Sequence, residues 1–407
     1  MEVHDLGNIT TSLLSYFIHP LLWIVLITTV LVGIIRVRKE RQFFNTRLYP
    51  ATLESTRLLL IGLVLGLIVS AMTWYTGVIV DVSWLLLFNI VSVVLFATLG
   101  YRGLTASYTL ALTTLGLIGI NLLLLIKPED SITAVFSTQL IMQPNILIGL
   151  SILLAVGLFI EGFLLYLFSR KPLQPELIKI RRGTIKGQFK YRGAFLLPVF
   201  MLFPVAKDGF FSTSEWWPIF SVGKMEFLPL FVPLVIGTRV IVRSQLPKRL
   251  LKKRMFAIIA LAVIVTLLTI VTYFYNWFTL MPFVMALLGH IAIDIYFWVV
   301  DEPDTERYHQ TSKGVCVIGT REDTASRKMG ILPGELITSC NGNPVKNRQE
   351  LYDALNINRA YVKLTVCDEF NEPRFVETAL FETDSFELGL LFIEESVVEE
   401  MKDSVES

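Results

Sequence analysis

The sequence predicts a polytopic α-helical membrane bundle followed by one small α+β domain. Three observations carry that prediction: seven apolar runs long enough to cross a bilayer, a change in the sign of charge near residue 300, and a turn-punctuated tail of short strand-like runs. Of the 407 residues, 53% are apolar, and the mean hydropathy of +0.60 is too high for a water-soluble protein. The formal net charge of +1 conceals a division. Residues 1–300 hold 25 Lys/Arg against 13 Asp/Glu, whereas residues 301–407 hold 11 against 22. The first region is basic and membranous, the second acidic and polar.

A helix needs about 20 apolar residues to cross the hydrocarbon core. Runs of that kind lie near 12–35, 58–80, 82–101, 107–126, 145–168, 256–275 and 280–300. The leader Met1–Thr11 has no Lys or Arg, and a basic cluster follows the first run, so that run reads as a retained anchor rather than a cleaved signal. The segment 194–237 differs. Its apolar pieces, AFLLPVFMLFPV and WWPIFSVGKMEFLPLFVPLVIG, are broken by prolines and by Lys224 and Glu226. It reads as a weak hairpin, either two short spans or a re-entrant pair.

Lys and Arg at span ends mark the cytoplasmic side. Residues 36–57 carry six, residues 170–193 eight and residues 238–255 seven, while the alternating connections carry only Lys127 and Lys207. The expected orientation has the N-terminus outside and the C-terminal domain in the cytoplasm. Trp74, Trp84, Trp216, Trp217, Trp277 and Trp298 fall near the interfaces, as anchoring requires. The basic loops suit anionic lipids; nucleic acid is not an expected partner.

Polar residues inside the spans are Asn121, Glu161, Lys224, Glu226, His290 and Asp294. His290 and Asp294 are four apart and share a helix face, which suits a proton relay or, more simply, an inter-helix hydrogen bond. Glu161, near a cytoplasmic span end, is expected to pair with a basic loop. Enzyme chemistry is not expected. His4, His19, His290 and His309 form no HExxH, Gly149-Leu150-Ser151-Ile152 lacks the second glycine of an intramembrane serine protease, and there is no P-loop. Cys316, Cys340 and Cys367 show no metal-ligand spacing and read as free thiols on strands. No cofactor or metal is expected.

The tail divides into a linker (301–313), a compact domain (314–393) and an acidic end (394–407). GVCVIGT and GELITSCNG read as strands, Asn341-Gly342 as a turn, and Asn347–Asn356 as a helix capped by Asn347 and Glu350. YVKLTVCDEF and PRFVETALF read as a hairpin joined at Asn371-Glu372. The stretch GVCVIGTREDTASRKMGILPGELITSCNGNPVKNRQELYDAL resembles the bacterial PDZ pattern, with Glu335 where Asp is usual and Ser326 and Met329 at usually small apolar positions. The fold class is therefore a polytopic α-helical membrane bundle followed by a small α+β PDZ-like domain. The resemblance implies peptide binding by strand addition. Leu388, Gly389 and Leu390 would form the carboxylate-binding loop of a circularly permuted module, with Arg348 and Tyr352 on the opposite wall. Equally, Leu388–Ile393 reads as a last buried strand.

The whole layout resembles the MinJ family of cell-division topological determinants, through IIRVRKERQFFNTRLY, SRKPLQPELIKIRRG and the terminal PDZ-like domain. That resemblance implies a non-catalytic scaffold linking DivIVA-like and MinD-like division proteins at septum and poles; a homo-oligomer is compatible with this reading. The competing reading is a transporter or protease accessory protein with a regulatory PDZ domain.

Overall fold

A computed structural model describes residues 14–44, 47–126, 142–170, 174–179, 185–205, 209–214, 216–220, 225–301, 313–321, 324–358, 360–368, 372–380 and 388–393. Each apolar run becomes one long helix: α1 (Pro20–Phe44), α2 (Leu53–Thr76), α3 (Val82–Leu99), α4 (Ala106–Ile126), α5 (Pro144–Ser169), α6 (Pro247–Phe274) and α7 (Met281–Val300). Among the described residues, these seven are long and apolar enough to cross a membrane. Helix α5 is the central one, with 78% of its most apolar stretch buried against 22–39% in the others. Small residues let its neighbours approach: a Cβ on Gly157 would meet Ala106 Cβ at 2.5 Å, and one on Gly162 would meet Ile259 at 2.7 Å. The loop between α1 and α2 is closed by Arg36, which donates to Glu40 (2.5 Å), Glu54 (2.6 Å) and the Pro50 carbonyl (2.7 Å).

The segment read as short spans or a re-entrant pair is instead a long antiparallel ribbon. Strands β1 (Gln174–Lys179), β2 (Ile185–Val205), β3 (Phe211–Ser212) and β4 (Glu226–Val242) form one sheet in the order β1-β2-β4-β3. At about 3.3 Å per residue, β2 and β4 are each longer than a bilayer core is thick. Prolines explain why these residues are not helical, since each removes a helix hydrogen bond. The register explains why they are tolerated in strands. Pro198 pairs with Pro233, Leu202 with Pro229 and Pro204 with Phe227, all on the same alternate set of pairs. Two prolines cannot exchange N–H···O bonds, so this is the set whose N–H groups point away from the partner strand. Two other N–H groups of that set find acceptors on the α2 side: Phe200 N–H donates to Ser70 Oγ (3.0 Å) and Leu202 N–H to the Val78 carbonyl (2.8 Å).

The C-terminal module contains β5 (Val315–Cys316), β6 (Gly319–Thr320), α8 (Ala325–Lys328), β7 (Leu336–Cys340), β8 (Asn343–Pro344), α9 (Arg348–Ile357), β9 (Tyr361–Cys367), β10 (Pro373–Ala379) and β11 (Leu390–Leu391). Its main sheet runs β10-β9-β7-β5, with β8 on β7, and β11 pairs β6 separately. Asn341 and Gly342 both take positive φ (52° and 87°), the geometry a two-residue hairpin between β7 and β8 requires. Asn347 Oδ1 caps α9 by accepting from Glu350 N–H at 2.8 Å, while Glu350 Oε2 accepts from Lys346 N–H. The β9–β10 hairpin forms as expected, with Pro373 opposite Cys367; Asn371 lies outside the described residues. All three cysteines are free thiols on strands, and burial pushes the Cys340 thiol up to about 11.

Candidate peptide-binding site

The loop proposed to receive a carboxylate has an unusual backbone. Leu388 and Gly389 both take positive φ (50° and 70°). Carbonyls of this turn are held by the α8 side: Ser326 N–H donates to Leu388 O (3.1 Å) and Arg321 N–H to Gly389 O (2.7 Å). A Cβ on Gly389 would lie 2.4–2.5 Å from the Thr324 side chain, so the position has no room for one. Ser326, polar where an apolar residue is usual, is fully buried, and its hydroxyl meets Thr324 Oγ1 at 3.1 Å. Met329 joins the core.

The segment combines features of both sequence readings. Leu388–Ile393 is buried throughout, as a last strand would be, yet β11 pairs only with β6, and no described strand covers its other edge. Side chains alternate along it. Leu388, Leu390 and Phe392 enter the core of the C-terminal module, whereas Leu391 and Ile393, with Ile318, pack into the core of the membrane region. Gly319 lies against Pro175 of β1, so this face of the module is seated on the start of the ribbon. Across the module, Tyr352 packs on the core cluster that holds Leu388 and Leu390, and Arg348 lies 5.3 Å over the Tyr352 ring. Glu387 lies outside the described residues.

Glu335, the departure from the PDZ pattern, has a definite job that sequence reasoning missed. Its carboxylate accepts from Leu332 N–H (2.8 Å) and from Arg374 Nη2 (2.7 Å), joining the Gly-Ile-Leu-Pro-Gly turn to β10. The longer side chain reaches an arginine 39 residues away; nothing local in the sequence indicates that partner.

Within the bundle, Asp294 makes the inter-helix hydrogen bonds expected of it, and one expectation, at Glu161, is corrected. Asp294 accepts from Arg254 (2.5 Å), Arg102 (2.9 Å) and the Tyr108 hydroxyl (2.9 Å), while His290 Nε2 stands 4.0 Å away. Glu161 does not reach a basic loop; it faces His290 at 3.6 Å, and both are buried. One cluster thus ties α4, α5, α6 and α7 together. Arg102 and Arg254 were legible only as topology signals, because partners 192 and 40 residues away leave no local pattern. Asn121 donates to the Leu117 carbonyl, and Glu226 accepts from Gly209 N–H (2.8 Å), so both are satisfied locally; Lys224 lies outside the described residues.

No family model matches the chain. It is 28% identical over 380 residues to the cell division topological determinant MinJ of Bacillus subtilis (strain 168), an alignment covering 93% of this chain and 94% of that one. It is 23% identical over 391 residues to the probable cell division topological determinant MinJ of Lacticaseibacillus paracasei, covering 92% and 95%. A solved structure, the PDZ domain of the SdrC-like protein from Listeria monocytogenes, is 22% identical, with a TM-score of 0.19, over 21% of this chain and 95% of that domain. With seven apolar helices first and a small module of short strands and helices last, the chain resembles the MinJ cell division topological determinants over nearly its whole length.

Proposed function

We propose that this protein is a non-catalytic membrane scaffold for division-site selection, which recruits regulators through its C-terminal module and bridges DivIVA-like and MinD-like proteins. The observation that carries the reading is the similarity to MinJ across 93% of the chain, membrane region and module together. The open edge of β11 supports it physically, since an extended peptide adds to such an edge by main-chain hydrogen bonds. In this reading the basic loops and the module face the cytoplasm, the N-terminus lies outside, and the protein gathers at septum and poles.

A fluorescent fusion in the native host, combined with deletion, tests the proposal. Enrichment at septa and poles, with misplaced septa on deletion, is expected. Even spread over the membrane with normal septum placement would sink it. The competing role as a transporter or protease accessory protein draws on the buried Glu161–His290–Asp294 cluster. Its arginine partners offset Asp294's charge, and that is what a fixed structural tie requires.

A further inference from the structure

The β2–β4 register sets two arginines directly opposite each other, Arg192 against Arg239. Like charges facing across an antiparallel pair repel, and side chains there stand only about 5 Å apart at Cβ. The Nε atoms of both are buried and have no hydrogen-bond partner among the described residues. The nearby carboxylates are already engaged: Asp294 by Arg102 and Arg254, Asp301 by the backbone N–H groups of Arg243 (3.0 Å) and Ser244 (3.1 Å), and Glu176 by Lys39 (2.8 Å) and Lys190 (3.1 Å).

Arg192 lines one cavity with Glu54 and Glu176, while Arg239 borders another, of about 250 Å³. Arg102, Arg239, Arg243 and Arg254 line it against only two acids, Asp294 and Asp301. Its wall also includes Trp298, which is 69% exposed on the outer face of α7, so the cavity borders a surface that lipid would cover. It lies at the basic end of the bundle, where α6 begins and α7 ends.

We infer that this cavity binds a phosphate-bearing anion, and its position beside lipid-facing helix surface favours the headgroup of an anionic phospholipid as the source. A phosphate offers several strong acceptors to the lining guanidinium groups, Arg239 Nε among them, and offsets the charge that Arg239 sets against Arg192. Basic pockets between spans at the cytoplasmic side are suited to such headgroups. The inference does not depend on the division role, because it rests on the arginine geometry alone.

The test uses the full-length protein in detergent, with native mass spectrometry after addition of phosphatidylglycerol, phosphatidylcholine or inorganic phosphate. Phosphatidylglycerol is expected to be retained over phosphatidylcholine. The double variant Arg239→Gln/Arg243→Gln should lose about tenfold or more of that retention, from two Lys/Arg-sized contributions. The control Lys252→Gln/Lys253→Gln removes two exposed charges on α6 and should keep it. Retention of inorganic phosphate by the wild type, abolished by the same double variant and without lipid preference, keeps the anion site and moves its source to solution. Equal retention of both lipids with no bound phosphate overturns the inference, as does equal loss in both double variants. A second measurement needs no variant: phosphatidylglycerol should raise the wild-type unfolding temperature above its value in phosphatidylcholine, and identical temperatures count against the site.

Discussion

The membrane ribbon and the C-terminal module both contain strands with an unpaired edge, but they treat it in opposite ways. In the ribbon, outward N–H positions are removed by Pro198, Pro204, Pro229 and Pro233, or bonded to Ser70 and Val78. An open edge at membrane depth would leave polar groups without water, at several kcal/mol each. In the module, β11 pairs with β6, and no described strand covers its other edge. The surroundings decide which edges must be closed by proline or by a side-chain acceptor.

The seat of the ribbon against α2 is the most sensitive part of this contrast. A Cβ on Gly62 would lie 2.4 Å from the Leu196 carbonyl oxygen, and one on Gly66 2.3 Å from Pro198 Cδ. Gly62→Leu or Gly66→Leu should therefore separate helix from ribbon, with a loss of about 3 kcal/mol or more. Thermal unfolding in detergent reads this directly; an unchanged transition would mean that the ribbon does not rest on α2.

At the open edge, Gly389→Val should cost about 1–3 kcal/mol in the module, because positive φ and contact with Thr324 both oppose a side chain. Pull-down of partners by the full-length protein should be abolished while membrane insertion is unchanged. Normal capture by this variant would remove the groove assignment. Glu335→Ala should weaken the module by about 1–2 kcal/mol, since the carboxylate is buried but Arg374 is 39% exposed and solvent screens the pair. That loss should disappear in an Arg374→Ala background, and an undiminished loss there would show that the ion pair is not its cause.

Sequence and structure agree best where one residue type dictates one geometry. Seven helices were legible because each run is apolar over a full bilayer thickness, and the Asn341-Gly342 turn because both residues tolerate positive φ. The ribbon was not, because both faces of β2 contact apolar surroundings, which erases the alternation that normally reveals a strand. Its signal was the spacing of prolines, legible as strand only once the register was known. The turn at Gly389 was legible through its Leu-Gly-Leu sequence, but Thr324, which fills the space over Gly389, and Arg374, which holds Glu335, come from distant turns and strands.

The smallest expected effect concerns the one part of the ribbon edge closed by charge. Strand β1 covers the N-terminal end of β2, and Glu176 on it binds Lys190 of β2 and Lys39 of α1. Burial pushes the Glu176 carboxyl up, but the two lysines outweigh it and hold the group down at about 2, against an ordinary 4.5. A depressed folded value means that the fold favours the ionised form. Its stabilisation is complete above the ordinary value and is lost as pH falls from 4.5 towards 2. Because Lys39 is half exposed, the contribution is about 1 kcal/mol or less. Glu176→Gln should therefore lower the unfolding temperature slightly at neutral pH and flatten its decline across that acid window. If the variant declines in parallel with the wild type there, Glu176 does not hold the edge, and closure of this end rests on the β1–β2 backbone ladder alone.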